Sequence, residues 1–484
     1  MEKFDLIIIG SGPAGTGAAF RARSRGLTVC IIEKSETGGT CLNRGCIPTK
    51  TLLHGAGLLR EARDGERYGV TAGDLRFDFA KLIEWKNTVV STLRQNQSAA
   101  LLKAGVTMVN GTARVEGPGK VLVHSADSGG EKILEAAALL IAAGTVPALI
   151  PIPGHDLPGV YTSDAFLEGG GLFPKRFAII GGGVIGVEFA AAYSSFGSEV
   201  TIVEALPSIL ANMDREIGQT LALQLKKRGV GIYTGAHIEK IEESGGALAL
   251  VLTKAGTAGG SGADSITVPA DAVLMAAGRR PDAVSLFSPN CMPQLTAKGF
   301  IQSDENMMSS IPGIYIAGDI SGGVQLAHAA TAEGEYAASC IASAAKSGEK
   351  EDIGETPGQR VIPSCVYTTP EIACAGITAA EAAERGIPAV TGKGVFGANG
   401  KAFLENQERG FIKLVFHTET HAIIGAQFFC NHATEIIPWA VQCIGDGTTL
   451  EQIERTVFPH PSFCETIAQA VNDTVTRGGL KQMR

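Results

Sequence analysis

Short apolar runs that end at a glycine or at an acidic residue form the most regular pattern in this chain. The run from Phe4 to Ile9 ends at Gly10, and after a helical pattern a second run, Thr28 to Ile32, ends at Glu33. A buried strand, a helix and a second buried strand in this order predict a βαβ unit of a doubly wound sheet.

The same arrangement recurs further along the chain. The run from Arg176 to Ile180 leads into Gly181, and after another helical pattern the run from Val200 to Val203 ends at Glu204. The first glycine and the acidic residue are 23 positions apart in both copies, at 10 and 33 and at 181 and 204. We therefore predict an α/β fold with two doubly wound nucleotide-binding domains.

Each unit also carries a glycine fingerprint between its first strand and its helix. The glycines are Gly10, Gly12 and Gly15 in the first copy and Gly181, Gly183 and Gly186 in the second. They permit a tight turn, a close approach of backbone to pyrophosphate, and close packing of helix on strand. The helix N-terminus favours the phosphates, and Glu33 or Glu204 would accept a hydrogen bond from a ribose hydroxyl. A single glycine pattern is weak, but two complete copies indicate two dinucleotide sites.

A pair of cysteines, Cys41 and Cys46, follows the first unit in the segment GTCLNRGCIPTK at residues 39–50. Positions five apart on a regular helix face different directions, so these thiols could form a disulfide only from a distorted turn. Nearby glycines allow such a turn, and Pro48 can start a regular helix behind it. A metal site is the alternative, but no second cluster with zinc spacing lies nearby.

The position of the cysteines indicates which unit holds which cofactor. A thiol pair must touch a flavin to exchange electrons with it, so the first unit should bind FAD and the second a nicotinamide. Glu204 would bond the free ribose hydroxyl of NAD and repel the extra phosphate of NADP. Because the next basic residue downstream is Arg215, we expect NAD.

Thiol exchange requires a thiolate, and His460 is the best candidate for the assisting base. It lies between Pro459 and Pro461, and Glu465 follows five residues later. A carboxylate can hold an imidazole in one tautomer and raise its basicity.

Length and proline or glycine clusters predict several domains, since 484 residues exceed one hydrophobic core. We expect domain boundaries near residues 147 and 280, and a third, α+β domain in the last part of the chain that forms an interface. The Gly/Ser-rich segment 255–264 predicts an exposed hairpin loop.

Composition excludes several classes of protein. A net charge of -8 without a long basic block argues against nucleic acid or an anionic membrane as partner. No apolar run reaches the roughly 18–20 residues of a membrane span, and the N-terminus lacks a secretory signal. Ten cysteines in such a chain are not a disulfide scaffold, and Cys30 and Cys430 fit buried positions. We expect a cytoplasmic protein that begins at Met1.

In combination, the motifs resemble the pyridine nucleotide-disulfide oxidoreductases along nearly the whole chain. Residues 39–50 are similar to the redox motif of the dihydrolipoyl dehydrogenases of that family. So are Gly318-Asp319 with the segment LAH at 326–328, and the segment YTTPE at 367–371. The resemblance implies an FAD domain at 1–147, an NAD domain at 148–280, a central domain completing the FAD site at 281–350 and a C-terminal dimerisation domain at 351–484. It also implies a homodimer with shared active sites, which oxidises dihydrolipoyl groups and reduces NAD. The partner would be a lipoyl-bearing carrier or acyltransferase of a 2-oxo-acid dehydrogenase or glycine-cleavage-type complex.

The resemblance also implies roles for individual residues. Cys46 would face the flavin, Cys41 would exchange with substrate, and the partner subunit's His460 would be the base, oriented by Glu465. Lys50 would lie near the flavin ring and pair with Glu188. The expected cofactor contacts also include Glu33, Gly39, Thr40, Lys50, Gly111, Ala113, Gly144, Asp319 and Ala327 for FAD, and Glu188, Glu204 and Gly278 for NAD. No metal site is expected.

The chain departs from the family's usual C-terminal motif at two positions. Phe458 replaces the first histidine and Cys464 replaces a serine, which would add a third thiol near the site. The alternatives are a glutathione- or mercuric-reductase-like enzyme and a flavin-binding protein without turnover. Mercuric reductases end in a cysteine pair whereas this chain ends LKQMR, and glutathione reductases favour NADP.

Overall fold

The computed structural model describes residues 3–126, 129–168, 171–254, 265–345, 353–407 and 409–477. The strands are β1 Lys3–Ile9, β2 Val29–Glu33, β3 Thr107–Gly117, β4 Lys120–Ser125, β5 Glu131–Ile141, β6 Thr145–Pro147, β7 Val160–Thr162, β8 Arg176–Ile180, β9 Glu199–Glu204, β10 Gly231–Thr234, β11 Ala236–Ser244, β12 Ala247–Lys254, β13 Ser265–Ala270, β14 Ala272–Met275, β15 Arg279–Pro281, β16 Ile314–Ile316, β17 Ser364–Val366, β18 Glu371–Gly376, β19 Ala389–Val395, β20 Phe411–His417 and β21 Ile423–Cys430.

The α-helices alternate with these strands in the first two-thirds of the chain and pack beside them in the last third. They are α1 Pro13–Ser24, α2 Gly39–Arg44, α3 Cys46–Asp64, α4 Phe79–Lys103, α5 Ser163–Glu168, α6 Val184–Phe196, α7 Arg215–Lys227, α8 Ala327–Ala345, α9 Ala379–Glu384, α10 Gly400–Leu404, α11 Ala433–Gly445, α12 Leu450–Glu454 and α13 Glu465–Arg477.

The first sheet is the predicted doubly wound unit with β1 at its centre. Strand β1 pairs in parallel with β2 and β5, β2 pairs in parallel with β3, and β4 pairs antiparallel with β3 and β5. Leu6, Ile7 and Ile8 are fully buried because both faces of β1 are covered. Strand β16 returns to pair with β5, and α8 packs against α1. The region predicted as a central domain therefore completes the first sheet and its helical layer.

The second sheet repeats the parallel arrangement in the order β10-β9-β8-β14-β7. Its fingerprint helix α6 is buried over most of its length. An antiparallel sheet of β11, β12 and β13 packs beside it, and β6 pairs with β15 where the two units join. The predicted loop at 255–264 lies outside the described residues.

An aromatic cluster joins the two nucleotide units. Phe77 and Phe79, just before and at the start of α4, stack on Phe196 and Phe173, with ring centroids 4.7 and 4.9 Å apart. Tyr193 of α6 contacts the same group and is almost fully buried. Such offset and edge contacts add to the burial energy of the rings, so the second unit is packed firmly on the first.

The third region is an α+β domain, as predicted. Its sheet has the order β17-β18-β21-β20-β19 with every neighbouring pair antiparallel. Helices α11 and α13 pack on this sheet around a core that includes Phe428 and Ile467. The predicted fold class is confirmed by these three sheets. Among the described residues, every helix is too short or too polar to cross a membrane.

Candidate active site

One cleft of about 1830 Å³ runs along the carboxyl ends of the strands in both nucleotide units. Most of the sequence-predicted residues line it: Gly10, Gly12, Glu33, Gly39, Thr40, Cys41, Cys46, Lys50, Gly111, Ala113, Gly144, Gly181, Gly183, Glu188, Glu204, Gly278, Asp319 and Ala327. Gly15, Gly186, His460 and Glu465 lie outside its lining. The fold therefore brings both fingerprints and both cysteines to one continuous space.

Gly15 and Gly186 lie outside the cleft because they serve packing. A Cβ built on Gly15 would be 1.9 Å from the Gly10 carbonyl oxygen, and one on Gly186 would be 2.0 Å from that of Gly181. Any side chain would push the helix away from its strand. The close approach aims the N-terminus of each helix into the cleft.

The two acidic residues are held rigidly at the ends of β2 and β9. Glu33 accepts hydrogen bonds from the Ser11 N–H (2.8 Å) and the Ser11 hydroxyl (2.7 Å). Glu204 accepts one from the Gly182 N–H (2.6 Å) and one from the Leu206 N–H (2.7 Å). Each carboxylate thus faces a helix N-terminus across the mouth of its unit. This arrangement fits a dinucleotide, with the pyrophosphate at the helix and a ribose at the carboxylate.

The cysteines lie at a break between two helices. Helix α2 carries Cys41, and α3 begins at Cys46 after a non-helical Gly45 with φ −136° and ψ −108°. The helix therefore starts two residues before Pro48, which lies in its first turn, where its missing N–H costs no hydrogen bond. A Cβ on Gly39 would lie 2.8 Å from the Cα of Gly12, so α2 starts directly on the first fingerprint loop.

The two thiols are hydrogen-bonded to each other, with different electrostatic surroundings. The hydrogen bond from Cys41 and the positive charge of Lys50 outweigh burial and lower the pKa of Cys46 to about 7. The same hydrogen bond, together with burial, raises the pKa of Cys41. In the dithiol state Cys46 therefore loses its proton at lower pH than Cys41 does.

Three regions of the chain meet at Lys50. Its ammonium group lies 2.9 and 2.8 Å from the two carboxylate oxygens of Glu188 on α6. Glu188 is only 2% exposed and also accepts a hydrogen bond from the Tyr367 N–H at 2.9 Å. The Lys50 ammonium group lies over the face of the Tyr367 ring, 4.6 Å from the ring centroid. The pair expected from the resemblance is thus formed, and Tyr367 is an additional residue in contact with it.

A second network surrounds Asp319, whose pKa is raised by burial. Its carboxylate accepts a hydrogen bond from the Thr145 hydroxyl at 3.0 Å, and that hydroxyl accepts one from Arg279 Nε at 3.0 Å. Neither Thr145 nor Arg279 is among the site residues predicted from the sequence. The sequence signal for Arg279 is the GRRP segment at 278–281, because an arginine next to a predicted cofactor-binding glycine needs hydrogen-bond acceptors for its guanidinium group.

His460 and Glu465 are paired but lie away from the cleft of their own chain. His460 Nδ1 is 2.8 Å from Glu465 Oε1, and 78% of the His460 side chain is exposed. The Ser462 N–H and His460 hold the pKa of Glu465 below its usual value, so the carboxylate stays charged beside the imidazole. The pair therefore presents an oriented ring nitrogen, Nε2, at the surface of the third domain.

The two departures from the family motif pack within that domain. The Phe458 ring is 6.3 Å from the Trp439 ring in an edge-on contact. Cys464 is partly buried against the domain core, which raises the pKa of its thiol. In the described part of the chain, no three metal-binding side chains gather into one site.

Two family models match the chain. Residues 4–334 match the pyridine nucleotide-disulphide oxidoreductase model, and residues 362–471 match the dimerisation domain of pyridine nucleotide-disulphide oxidoreductases. Curated relatives match over nearly the full length. Dihydrolipoyl dehydrogenase 3 of Haloarcula marismortui is 34% identical over 470 residues, covering 97% of this chain and 96% of the relative. A dihydrolipoyl dehydrogenase of Bacillus subtilis is 34% identical over 472 residues, covering 97% and 98%.

Solved structures share the same architecture. The HOCl-induced flavoprotein disulfide reductase RclA from Escherichia coli superimposes with a TM-score of 0.81 at 29% identity. That match covers 97% of this chain and 98% of RclA. The overall fold is therefore common to the chain and to a solved flavoprotein reductase.

Proposed function

Because the chain belongs to the pyridine nucleotide-disulphide oxidoreductases, we propose that it oxidises dihydrolipoyl groups on a carrier protein to lipoyl groups, with reduction of NAD to NADH. Family membership makes it an enzyme that uses FAD and NAD(H), and the dimerisation domain supports a homodimer. The observation that carries the proposal is the Cys41–Cys46 pair set directly on the first fingerprint loop, inside a cleft shared by two dinucleotide units.

The dithiol step is assigned to the two cysteines in a fixed order. In the oxidised enzyme, one thiolate of the substrate attacks Cys41 Sγ, the Cys41–Cys46 disulfide opens, and Cys46 leaves as a thiolate. The second substrate thiolate then attacks the substrate sulfur that is bonded to Cys41 in the mixed disulfide, and Cys41 is released. Two electrons and two protons leave the substrate, which closes its own disulfide. Cys46 suits the role of leaving group because its pKa is lowered.

Proton removal from the substrate is assigned to the partner subunit's His460. Its Nδ1 is occupied by Glu465, so Nε2 is left to accept a proton. Because His460 of the same chain does not line the cleft, the base must come from a second copy if it acts at Cys41. Each homodimer would then contain two such shared sites.

The remaining residues hold the cofactors. Bound FAD supplies the two-electron carrier between the dithiol and the nicotinamide. The first fingerprint with Glu33, and Asp319 further along, would hold FAD, while Lys50 places a positive charge beside the Cys46 thiolate. The second fingerprint with Glu204 would hold NAD.

The lowered pKa of Cys46 predicts a pH dependence. The thiolate-to-flavin absorption band of the two-electron-reduced enzyme should be strong above pH 7 and fade as the pH falls through about 7. Cys41→Ala removes the hydrogen bond that contributes most to the shift, so the midpoint should move to higher pH. A spectrophotometric titration measures both midpoints, and an unchanged midpoint in Cys41→Ala would refute this cause.

The substrate assignment is tested by comparing two reactions of the purified holoenzyme. We expect NAD-linked oxidation of dihydrolipoamide, and NADPH- or NADH-linked reduction of glutathione disulfide at less than about 1% of that rate, because a site that fits one disulfide discriminates strongly. Replacing NAD by NADP should also slow the first reaction, since Glu204 repels the extra phosphate. Turnover of glutathione disulfide alone would overturn the assignment.

A further inference from the structure

We propose that Arg279 is a positioning residue that fixes the cysteine-bearing helix α2 against helix α5 and the Asp319 side of the flavin site. The inference rests on the flavin–dithiol part of the proposed function and is independent of which dithiol is the substrate. Arg279 would act through its neighbours and not touch the reacting sulfur atoms.

The guanidinium group of Arg279 is almost enclosed and bonds in several directions. Its Nη1 donates to Asp164 Oδ1 at 2.9 Å, and its Nη2 donates to the Thr145 carbonyl at 2.7 Å. Nε donates to the Thr145 hydroxyl at 3.0 Å, and Nη2 also approaches Thr40 Oγ1 at 3.4 Å. Only 13% of the side chain is exposed. Desolvating such a charge is costly, so these bonds must all be in place together.

The partners of Arg279 belong to three different parts of the site. Thr40 directly precedes Cys41 on α2. The Thr145 hydroxyl donates a hydrogen bond to Asp319 Oδ2 at 3.0 Å, which connects Arg279 to the predicted flavin contact. Asp164 lies on α5, directly after strand β7 of the second sheet, and its other oxygen is 4.0 Å from Arg44 Nε at the end of α2. The start of α2 is thereby connected to α5 through Arg279, and its end is connected to α5 directly through Arg44.

The geometry requires the guanidinium fork and not only its charge. Arginine presents donors in fixed directions, whereas a lysine ammonium is a single point with a flexible stem. A lysine at 279 could reach Asp164 or Thr145, but it could not serve Thr40 and both Thr145 acceptors at once. Loss of one tie would let α2 shift relative to the flavin, and a displacement near 1 Å can cost up to about 100-fold in rate.

The experiment compares Arg279→Lys and Arg279→Gln with Arg280→Gln, a matched control at the neighbouring, exposed arginine. Each holoenzyme is reduced anaerobically with NADH, and the thiolate-to-flavin absorption band is recorded. NADH-driven reduction of a quinone, which bypasses the thiols, and NAD-linked dithiol oxidation are measured beside it.

We expect both Arg279 variants to lose most of the band and about tenfold or more of the dithiol rate, with quinone reduction within about twofold of the unsubstituted enzyme. Arg280→Gln should match the unsubstituted enzyme in all three measurements. If Arg279→Gln fails to fold, Asp164→Ala removes the partner of Arg279 on α5 and should weaken the band in the same direction.

A wild-type band in Arg279→Lys together with one in Asp164→Ala would overturn the proposal. An equal loss of quinone reduction and of dithiol oxidation would also overturn it, because that is the result of general destabilisation. Failure of the substrate assignment is distinguishable, since neither the band nor quinone reduction uses a dihydrolipoyl compound.

Discussion

Cys41→Ser should reduce NAD-linked dithiol oxidation by on the order of 10⁴-fold or more while FAD stays bound. A serine oxygen cannot form the mixed disulfide with the substrate, and in the proposed order Cys46 exchanges electrons with the flavin and does not replace Cys41 in the attack. The change replaces one atom at a half-buried position. We therefore expect unchanged flavin absorbance per subunit, measured beside the steady-state rate.

The matched control for this substitution is Cys464→Ser. Cys464 is also half-buried, but it packs against the core of the third domain, so its replacement should leave the rate within about twofold. Near-normal turnover of Cys41→Ser would remove Cys41 from the substrate-exchange role. A loss in Cys464→Ser as large as that in Cys41→Ser would instead make the extra thiol of this chain a participant.

His460→Asn should lower kcat by about 10²- to 10⁴-fold, the usual contribution of a positioned general base. Asparagine can still bond Glu465, so the loop is retained while the proton acceptor is removed. The control is His432→Asn in the same domain, where the histidine is also exposed and its Nε2 lies 3.4 Å from Glu405 Oε2. Steady-state kinetics on both variants separates loss of the base from loss of a histidine–carboxylate pair.

The shared site makes a sharper expectation possible. If Cys41 of one subunit works with His460 of the other, a dimer of one Cys41→Ser and one His460→Asn subunit contains one intact site. Random mixing of the two inactive proteins by dissociation and reassociation should then restore about a quarter of the original activity. No recovery, with dimer exchange verified by differently tagged subunits, would contradict a site shared between subunits.

The sequence predicted the parts of the site that local chemistry determines. Repeated glycine fingerprints and their acidic partners identify the two nucleotide units, because the spacing of strand, turn and helix is the same wherever a dinucleotide binds. Cys41 and Cys46 can be identified as a redox pair from the sequence, because a glycine-rich segment around two cysteines is not typical of cysteines buried in a core. The pairing of Lys50 with Glu188 came from the resemblance alone, as 138 residues separate them.

The contacts that the sequence does not predict are those between segments that are far apart in the chain. Nothing local to Arg279 shows that Thr40, Thr145 and Asp164 converge on it, because β15 reaches them only after pairing with β6. Tyr367 is similar, since its contact with Lys50 exists only when the third domain packs on the first two. The sequence predicts a helix start at Pro48, two residues after the observed start at Cys46, because proline is common at the first helical position but is tolerated throughout the first turn.

The aromatic cluster between the nucleotide units has a consequence for recombination of related proteins. Phe77 and Phe79 come from the first unit, yet they complete the hydrophobic surface of α6 in the second. In a chimera that takes its nicotinamide unit from another member of the family, the surface of α6 would not match the rings at positions 77 and 79 unless these two residues are exchanged together with the unit. The set of residues that must be exchanged together is therefore discontinuous in sequence, because aromatic ring contacts define it and the chain order does not.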